Sequence, residues 1–196
     1  ALVTDVGSTK REICETAKKV WGEGASARFL PGHPMAGKAE GGIENANATL
    51  FHDAAWLLAP LQEPLAENAA NLVGALQAIG ARPMMCGIEE HDRMCAYVSH
   101  LPQLVATALA NVVDETELRS GELGSHHLAG AGLRSMTRLA ASPYSMWRDI
   151  ALTNADNIAE ALQKMEQKLA HLRENLKSPE LRAEFEKAQA ARAMLK

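Results

Sequence analysis

Apolar residues follow two different periodicities along the chain, and the change falls near residue 87. Before it, short apolar runs are separated by polar breaks: Ala1-Leu2-Val3, Ala27-Arg28-Phe29-Leu30, Ala54 to Ala59, and Arg82 to Cys86. Such runs predict strands of a buried parallel sheet. Between the first two, Ile13, Ala17 and Val20 recur at helical spacing behind Thr9-Lys10-Arg11-Glu12, a capping-box pattern that makes Thr9 the expected cap of a helix over residues 9–20. Leu65, Ala69, Leu72, Leu76 and Ile79 predict a second helix over 64–79, ended by Gly80. After Gly87 helical spacing takes over. One helix is expected over 88–113 with an interruption at Pro102, and another over 133–141 after the Gly-rich stretch 121–132. The longest is expected over 143–176, where Ala151, Ala155, Ile158, Leu162, Met165, Leu169, Leu172 and Leu176 form a heptad seam that packs along another long helix. A charged helix over 179–196 closes the chain. The expected fold class is α/β (1–87) followed by all-α (88–196).

Composition narrows the function. The 196 residues are 47% hydrophobic and 22% charged, an ordinary globular balance. A net charge of -4 leaves no basic footprint for nucleic acid. No apolar stretch approaches the ~20 residues of a membrane helix, so no membrane partner is expected. Cys14, Cys86 and Cys95 are odd in number and widely spaced, which fits reduced thiols in the cytoplasm. No His, Cys, Asp and Glu grouping has metal-ligand spacing, and no metal site is expected. The chain opens within an apolar run with no initiator Met, so it reads as the C-terminal part of a longer protein.

Two polar breaks carry the chemistry: Asp5-Val6-Gly7-Ser8-Thr9-Lys10 and Gly32-His33-Pro34-Met35-Ala36-Gly37. Each follows an apolar run, one helix apart, so a parallel sheet brings both to its carboxyl edge, where open α/β sheets bind ligands. Ser8 and His33 could then face one small molecule, with the Gly37 and Gly41-Gly42 breaks letting backbone approach it. His33 between Gly32 and Pro34 predicts a loop imidazole able to act as general acid or base; the competing reading is a loop histidine bonded to its own backbone. Ser99-His100-Leu101-Pro102 predicts a kink that turns Ser99 and His100 toward a cavity, against a satisfied core histidine. His91, His126 and His127 read as surface or helix-end residues. Arg138 follows Gly130-Ala131-Gly132 and could face a site; in Met146-Trp147-Arg148-Asp149 the Arg148-Asp149 neighbours read as a structural pair.

In this order, DVGSTK (5–10), GHPMAG (32–37), VSHLP (98–102), the Gly-rich stretch, TRLAAS (137–142) and MWRDI (146–150) resemble the prephenate and arogenate dehydrogenase family of tyrosine biosynthesis. The resemblance spans nearly all of the chain. It implies the C-terminal portion of a Rossmann-type parallel sheet joined to a helical dimerisation domain, without the Gly-rich loop and acidic ribose-binding residue that open such a sheet. It further implies oxidative decarboxylation of prephenate or arogenate with NAD or NADP. The family's catalytic histidine maps to His33 and its partner serine to Ser8. Substrate binding maps to His100, Ser99, Arg138 and Trp147, the nicotinamide end of the cofactor to Asp5, Gly7 and Ser8, and a homodimer to the C-terminal helices. Gln103 stands where many members carry a second histidine. Two other readings remain: a dimerisation module with no cofactor binding of its own, and a β-hydroxyacid dehydrogenase relative, against which His33 with His100 argues.

Overall fold

In the computed structural model the described residues are 1–37, 42–62, 65–115 and 129–195. Gly41, the Gly-rich stretch up to residue 128, His126 and His127 lie outside them. The chain divides into two compact units, Ala1–Ile158 and Ala159–Lys196.

The first unit begins with β1 (Val3–Thr4), α1 (Arg11–Trp21), α2 (Ala25–Arg28) and β2 (Phe29–Leu30). β1 and β2 pair in parallel, Val3 with Phe29 and Thr4 with Leu30, so the two polar breaks do reach one edge. β3 (Gly32–Pro34), β4 (Ala55–Leu58) and β5 (Arg82–Met85) follow, with α3 (Ala69–Ala78) crossing from β4 to β5. β4 and β5 are parallel, but β3 runs antiparallel to β4, opposing His33 to Leu57. The purely parallel expectation is corrected there: β3 follows β2 after Pro31 alone and meets β4 in the opposite direction, a ladder that the Pro31 carbonyl extends by accepting the Ala59 N–H at 3.0 Å. Leu30, Trp56, Leu58, Ala69, Leu76 and Ala81 make the core beneath the sheet. Phe51 stands edge-on to Trp56 with ring centroids 5.1 Å apart, a geometry that aromatic pairs favour. The helix expected over 64–79 begins only at Ala69.

Helices then take over, as the sequence pattern anticipates. α4 (Ile88–Cys95) runs into a wide turn over Ala96–His100, and α5 (Leu101–Glu115) continues from it. The Leu101 N–H bonds the Ala96 carbonyl five residues back, which widens the turn just before Pro102, whose ring nitrogen has no proton to donate. After α6 (Ala131–Thr137) and a tight turn over Arg138–Ala141 comes α7 (Tyr144–Thr153). The continuous helix expected over 143–176 is broken at Asn154, whose φ of -131° leaves the helical range, and α8 (Ala155–Glu174) starts anew.

In the second unit, the remainder of α8 and α9 (Glu180–Met194) are tied by Lys168 to Glu184 at 2.9 Å, with Lys187 3.5 Å from the same carboxylate. Leu169 is 56% exposed and Leu176 64%, so much of the heptad seam faces outward. No described helix is long and apolar enough to cross a membrane.

Candidate functional site

Asp5 organises the edge where β1 and β2 end. Its Oδ1 accepts the Gly32 N–H at 3.0 Å, its Oδ2 accepts the Gly7 N–H at 2.8 Å, and the buried Lys10 ammonium pairs with Oδ2. One carboxylate therefore ties both polar breaks together. A Cβ at Gly32 would lie 2.8 Å from the Asp5 carbonyl oxygen and 2.9 Å from Trp56 Nε1, so only glycine permits this approach. In front lies a cavity of about 420 Å³ lined by Asp5, Gly7, Ser8, Met146, Ile150 and Thr153, among others. Asp5, Gly7 and Ser8 thus share one cavity wall. With the Asp5 carboxylate engaged by the loop, the Ser8 hydroxyl is among the polar side chains there that make no hydrogen bond among the described residues.

Thr9 is not the cap of α1. Its hydroxyl bonds Thr153 at 2.8 Å, and the helix starts at Arg11. Asp92 does the capping from α4: its carboxylate accepts the Lys10 N–H at 2.7 Å and the Arg11 N–H at 2.9 Å. Two of the helix's orphan donors are satisfied by an anion at the positive end of the helix dipole.

His33 lies in β3, only 8% exposed, and not in the loop that its flanking residues predict. Its Nδ1 is 2.9 Å from His91 Nε2, and His91 Nδ1 is 2.8 Å from Asp92 Oδ1. His91, expected at the surface, is fully buried, as is Asp92. This chain of contacts assigns the protons. The carboxylate accepts, so His91 carries its proton on Nδ1 and offers the Nε2 lone pair; His33 then carries its proton on Nδ1 and is left with a bare Nε2. No hydrogen bond joins Ser8 to His33 among the described residues: the Nδ1 partner is His91. Burial above all, with the Lys10 charge adding to it, pushes the His33 pKa down to about 3, which keeps the imidazole neutral. Burial pushes the Asp92 carboxyl up, but the hydrogen bonds from His91 and from the Arg11 and Lys10 N–H groups together bring it below its ordinary value.

One helical turn after His91, the buried Cys95 Sγ stands 3.6 Å from His91 Nε2 and 3.8 Å from His33 Nδ1. Three donors that sequence spacing leaves unconnected are thereby gathered, contrary to the expectation of no metal-type grouping. Burial, followed by the charges of Asp92 and Cys86, pushes the Cys95 thiol up to about 12.

The wide turn places His100 in the interior, fully buried, with Ser99 half-buried beside it. Asn154 leaves its helix to donate from Nδ2 to the Asp92 carbonyl at 2.7 Å and to approach His100 Nδ1 at 3.2 Å. His100 Nε2 is then left without a partner, as is Trp147 Nε1. The two rings meet edge to face at 5.9 Å. Burial lowers the His100 pKa to about 4, more than the Asp92 charge raises it. A pair of unpartnered buried ring nitrogens is costly unless something polar comes to meet them. Arg138, by contrast, is exposed at the head of its tight turn. Arg148 pairs with Asp149 at 2.7 Å on the surface, as the sequence suggests.

Two family models account for almost the whole chain: the prephenate dehydrogenase nucleotide-binding domain over residues 1–85, and the prephenate dehydrogenase dimerization domain over 88–188. The chain belongs to the prephenate dehydrogenase family. It is 36% identical over 159 residues to the prephenate dehydrogenase of Bacillus subtilis, covering 81% of this chain and 42% of that protein. Against the cyclohexadienyl dehydrogenase of Zymomonas mobilis it is 31% identical over 198 residues, covering all of this chain and 66% of that protein. The solved prephenate dehydrogenase from A. aeolicus, in complex with hydroxyphenyl propionate and NAD+, superposes with a TM-score of 0.87 at 30% identity, over 100% of this chain and 68% of that one. Synechocystis arogenate dehydrogenase gives 0.82 at 30% identity, over 100% and 70%. The chain spans 42% and 45% of the Bacillus and Lactococcus lactis prephenate dehydrogenases, less than half of either.

Sequence reasoning misses Lys10, His91, Asp92, Cys95 and Asn154. One signal is available: His91 and Cys95 stand one turn apart on α4, the spacing of a buried face.

Proposed function

We propose that the protein carrying this chain is an NAD(P)-dependent oxidoreductase that oxidatively decarboxylates prephenate or arogenate, with the chain supplying the base, the substrate's polar contacts and the nicotinamide end of the cofactor site. The observation that carries this reading is the Asp92–His91–His33 chain, which leaves His33 Nε2 as a bare, neutral acceptor in a member of this family.

The cavity beside Gly7 and Ser8 fits the nicotinamide end of a dinucleotide, since it combines a free hydroxyl with the apolar walls of Met146 and Ile150. Bound there, the oxidised nicotinamide supplies the hydride acceptor. His33 Nε2 takes the proton of the substrate's C4 hydroxyl as hydride leaves that carbon. The resulting ring ketone draws in the electron pair of the departing carboxylate, CO2 is lost, and the aromatic oxygen recovers the proton from His33. His91 and Asp92 hold the imidazole in the tautomer this exchange requires. His100 Nε2 and Trp147 Nε1 meet substrate oxygens, with Ser99 beside them. Arg138 closes on a substrate carboxylate when ligand is present, and a guanidinium is the fork suited to that group. We assign residues 1–87 to the cofactor side and 88–196 to substrate binding and homodimer formation. A cytoplasmic setting suits the free Cys14, Cys86 and Cys95.

The test supplies prephenate and arogenate in turn, each with NAD+ and with NADP+, to the protein carrying this chain. Release of CO2 equal in amount to reduced nicotinamide is the expected result. Reduction without CO2, or no reduction in any of the four combinations, would overturn the reading.

A further inference from the structure

Cys95 has no part in the reaction above, yet it is fully buried with its sulfur against the two imidazoles that hold the base in place. All three ligating atoms, His33 Nδ1, His91 Nε2 and Cys95 Sγ, lie within 4.8 Å of one another. A tetrahedral zinc ion, with bonds of ~2.0–2.1 Å to nitrogen and ~2.3 Å to sulfur, needs its nitrogens about 3.3 Å apart and each about 3.6 Å from the sulfur. The observed edges are 2.9, 3.6 and 3.8 Å, so the two nitrogens need to part by a few tenths of an ångström and the rings to turn until both lone pairs meet the ion. The scaffold is rigid: His91 and Cys95 are one turn apart on α4, and His33 is fixed in β3. His91 also has a carboxylate on its other ring nitrogen, the outer-shell partner that orients imidazoles toward metals.

We propose that His33, His91 and Cys95 form a binding site for a soft divalent cation of the zinc type, and that its occupancy switches the base off. Thiolate with imidazole selects zinc-like ions over magnesium or calcium, which prefer oxygen ligands. Binding is balanced as follows. Cys95 gives its thiol proton to solvent, the metal takes the lone pair of His91 Nε2, and it displaces the His33 proton from Nδ1. That proton moves to His33 Nε2, the atom that must be bare to accept from the substrate. The metal therefore needs no contact with substrate to stop turnover. Three protein ligands leave a fourth position for water. The switching half of this proposal rests on the functional reading above; the binding half does not.

Titration with Co2+ alone, on the reduced and chelator-free protein, tests the binding half without any turnover. The expected result is one Co2+ per chain, with tetrahedral visible bands and a thiolate charge-transfer band, both removed by added Zn2+. Cys95→Ser and Cys95→Ala should each abolish the charge-transfer band and weaken binding on the order of 100-fold or more, while circular dichroism shows the fold retained. A band that survives in both variants would place the metal on Cys14 or Cys86 and overturn the site, as would no tetrahedral cobalt at all. Zn2+ should inhibit turnover, a chelator should restore it, and Cys95→Ala should turn over normally in the presence of zinc. Zinc inhibition undiminished in Cys95→Ala, or tetrahedral cobalt with no effect on turnover, overturns the switch. A protein with no dehydrogenase activity refutes the functional reading, and the cobalt spectrum still decides the site.

Discussion

The proposed base, His33, and the proposed substrate anchor, Arg138, are built in opposite ways. Around His33, Asp92 alone joins two backbone N–H groups of α1 to His91, and every link from Asp92 to His33 is buried. Around Arg138 the guanidinium is exposed at the head of a four-residue turn. Under the proposed function, the difference teaches that the fold itself sets the base, whereas the substrate completes the anchor. A preorganised group acts on the chemical step, and a group recruited by ligand acts on binding.

Substitution of the base separates the two sides most sharply. His33→Asn should lower kcat by a factor on the order of 10²–10⁴ and leave KM for prephenate or arogenate little changed. Steady-state kinetics on both substrates checks this, and a near-normal kcat would remove His33 from the reaction.

Asp92 carries the next largest effect, and it is on stability. Asp92→Ala removes both α1 caps and the His91 partner at once. Breaking a buried charged network of this kind costs about 3–5 kcal/mol, so thermal unfolding should move sharply downward. Acid should reproduce part of this loss. The folded pKa values of His33 and His100, about 3 and about 4, lie below the 6.5 of an ordinary histidine. Below pH 6.5 the unfolded chain then binds more protons than the folded one, and stability falls as pH drops through that window. Denaturant melts at a series of pH values test the sign: stability unchanged between pH 6.5 and pH 4 would contradict the buried, neutral state of both rings.

Legibility in the sequence follows the same division. The strand ends bearing Ser8 and His33 could be read because strand, break and helix are local patterns. The chain that orients His33 could not, because its links join residues 58 and 82 positions apart. Local rules also lost where a distant group competed: the capping box favoured Thr9, yet Asp92 reached the helix end first. Heptad spacing carried one helix through Asn154, whose amide instead serves Asp92 and His100 across 62 and 54 positions. On the anchor side Arg138 was singled out by its neighbours in sequence, and its exposure was not foreseeable from them.

Exposure makes the Arg138 effect the third in size. A buried ion pair would be worth more; a solvent-facing guanidinium that closes on a carboxylate contributes about 1.5–3 kcal/mol, the range for hydrogen bonds to charged groups. Arg138→Ala should therefore raise KM on the order of 10- to 100-fold with little change in kcat or in melting temperature. A fall in kcat with KM unaltered would move Arg138 to the base side of the comparison.

The smallest effect on the chain's own stability is expected in the second unit. Leu169 and Leu176 already face mostly outward within a single chain, so Leu169→Asp and Leu176→Asp remove little packing from it, and surface changes of this kind usually stay within about 0.5 kcal/mol. Their spacing of seven nevertheless repeats the heptad seam, and a second copy of α8 related by a two-fold axis would bury both. Dimer content should fall in each variant while far-ultraviolet helicity is kept, and sedimentation at several micromolar concentrations reads the change. An undiminished dimer in the double variant would show that subunits meet elsewhere on the chain, and the exposed half of the seam would then be a solvated face.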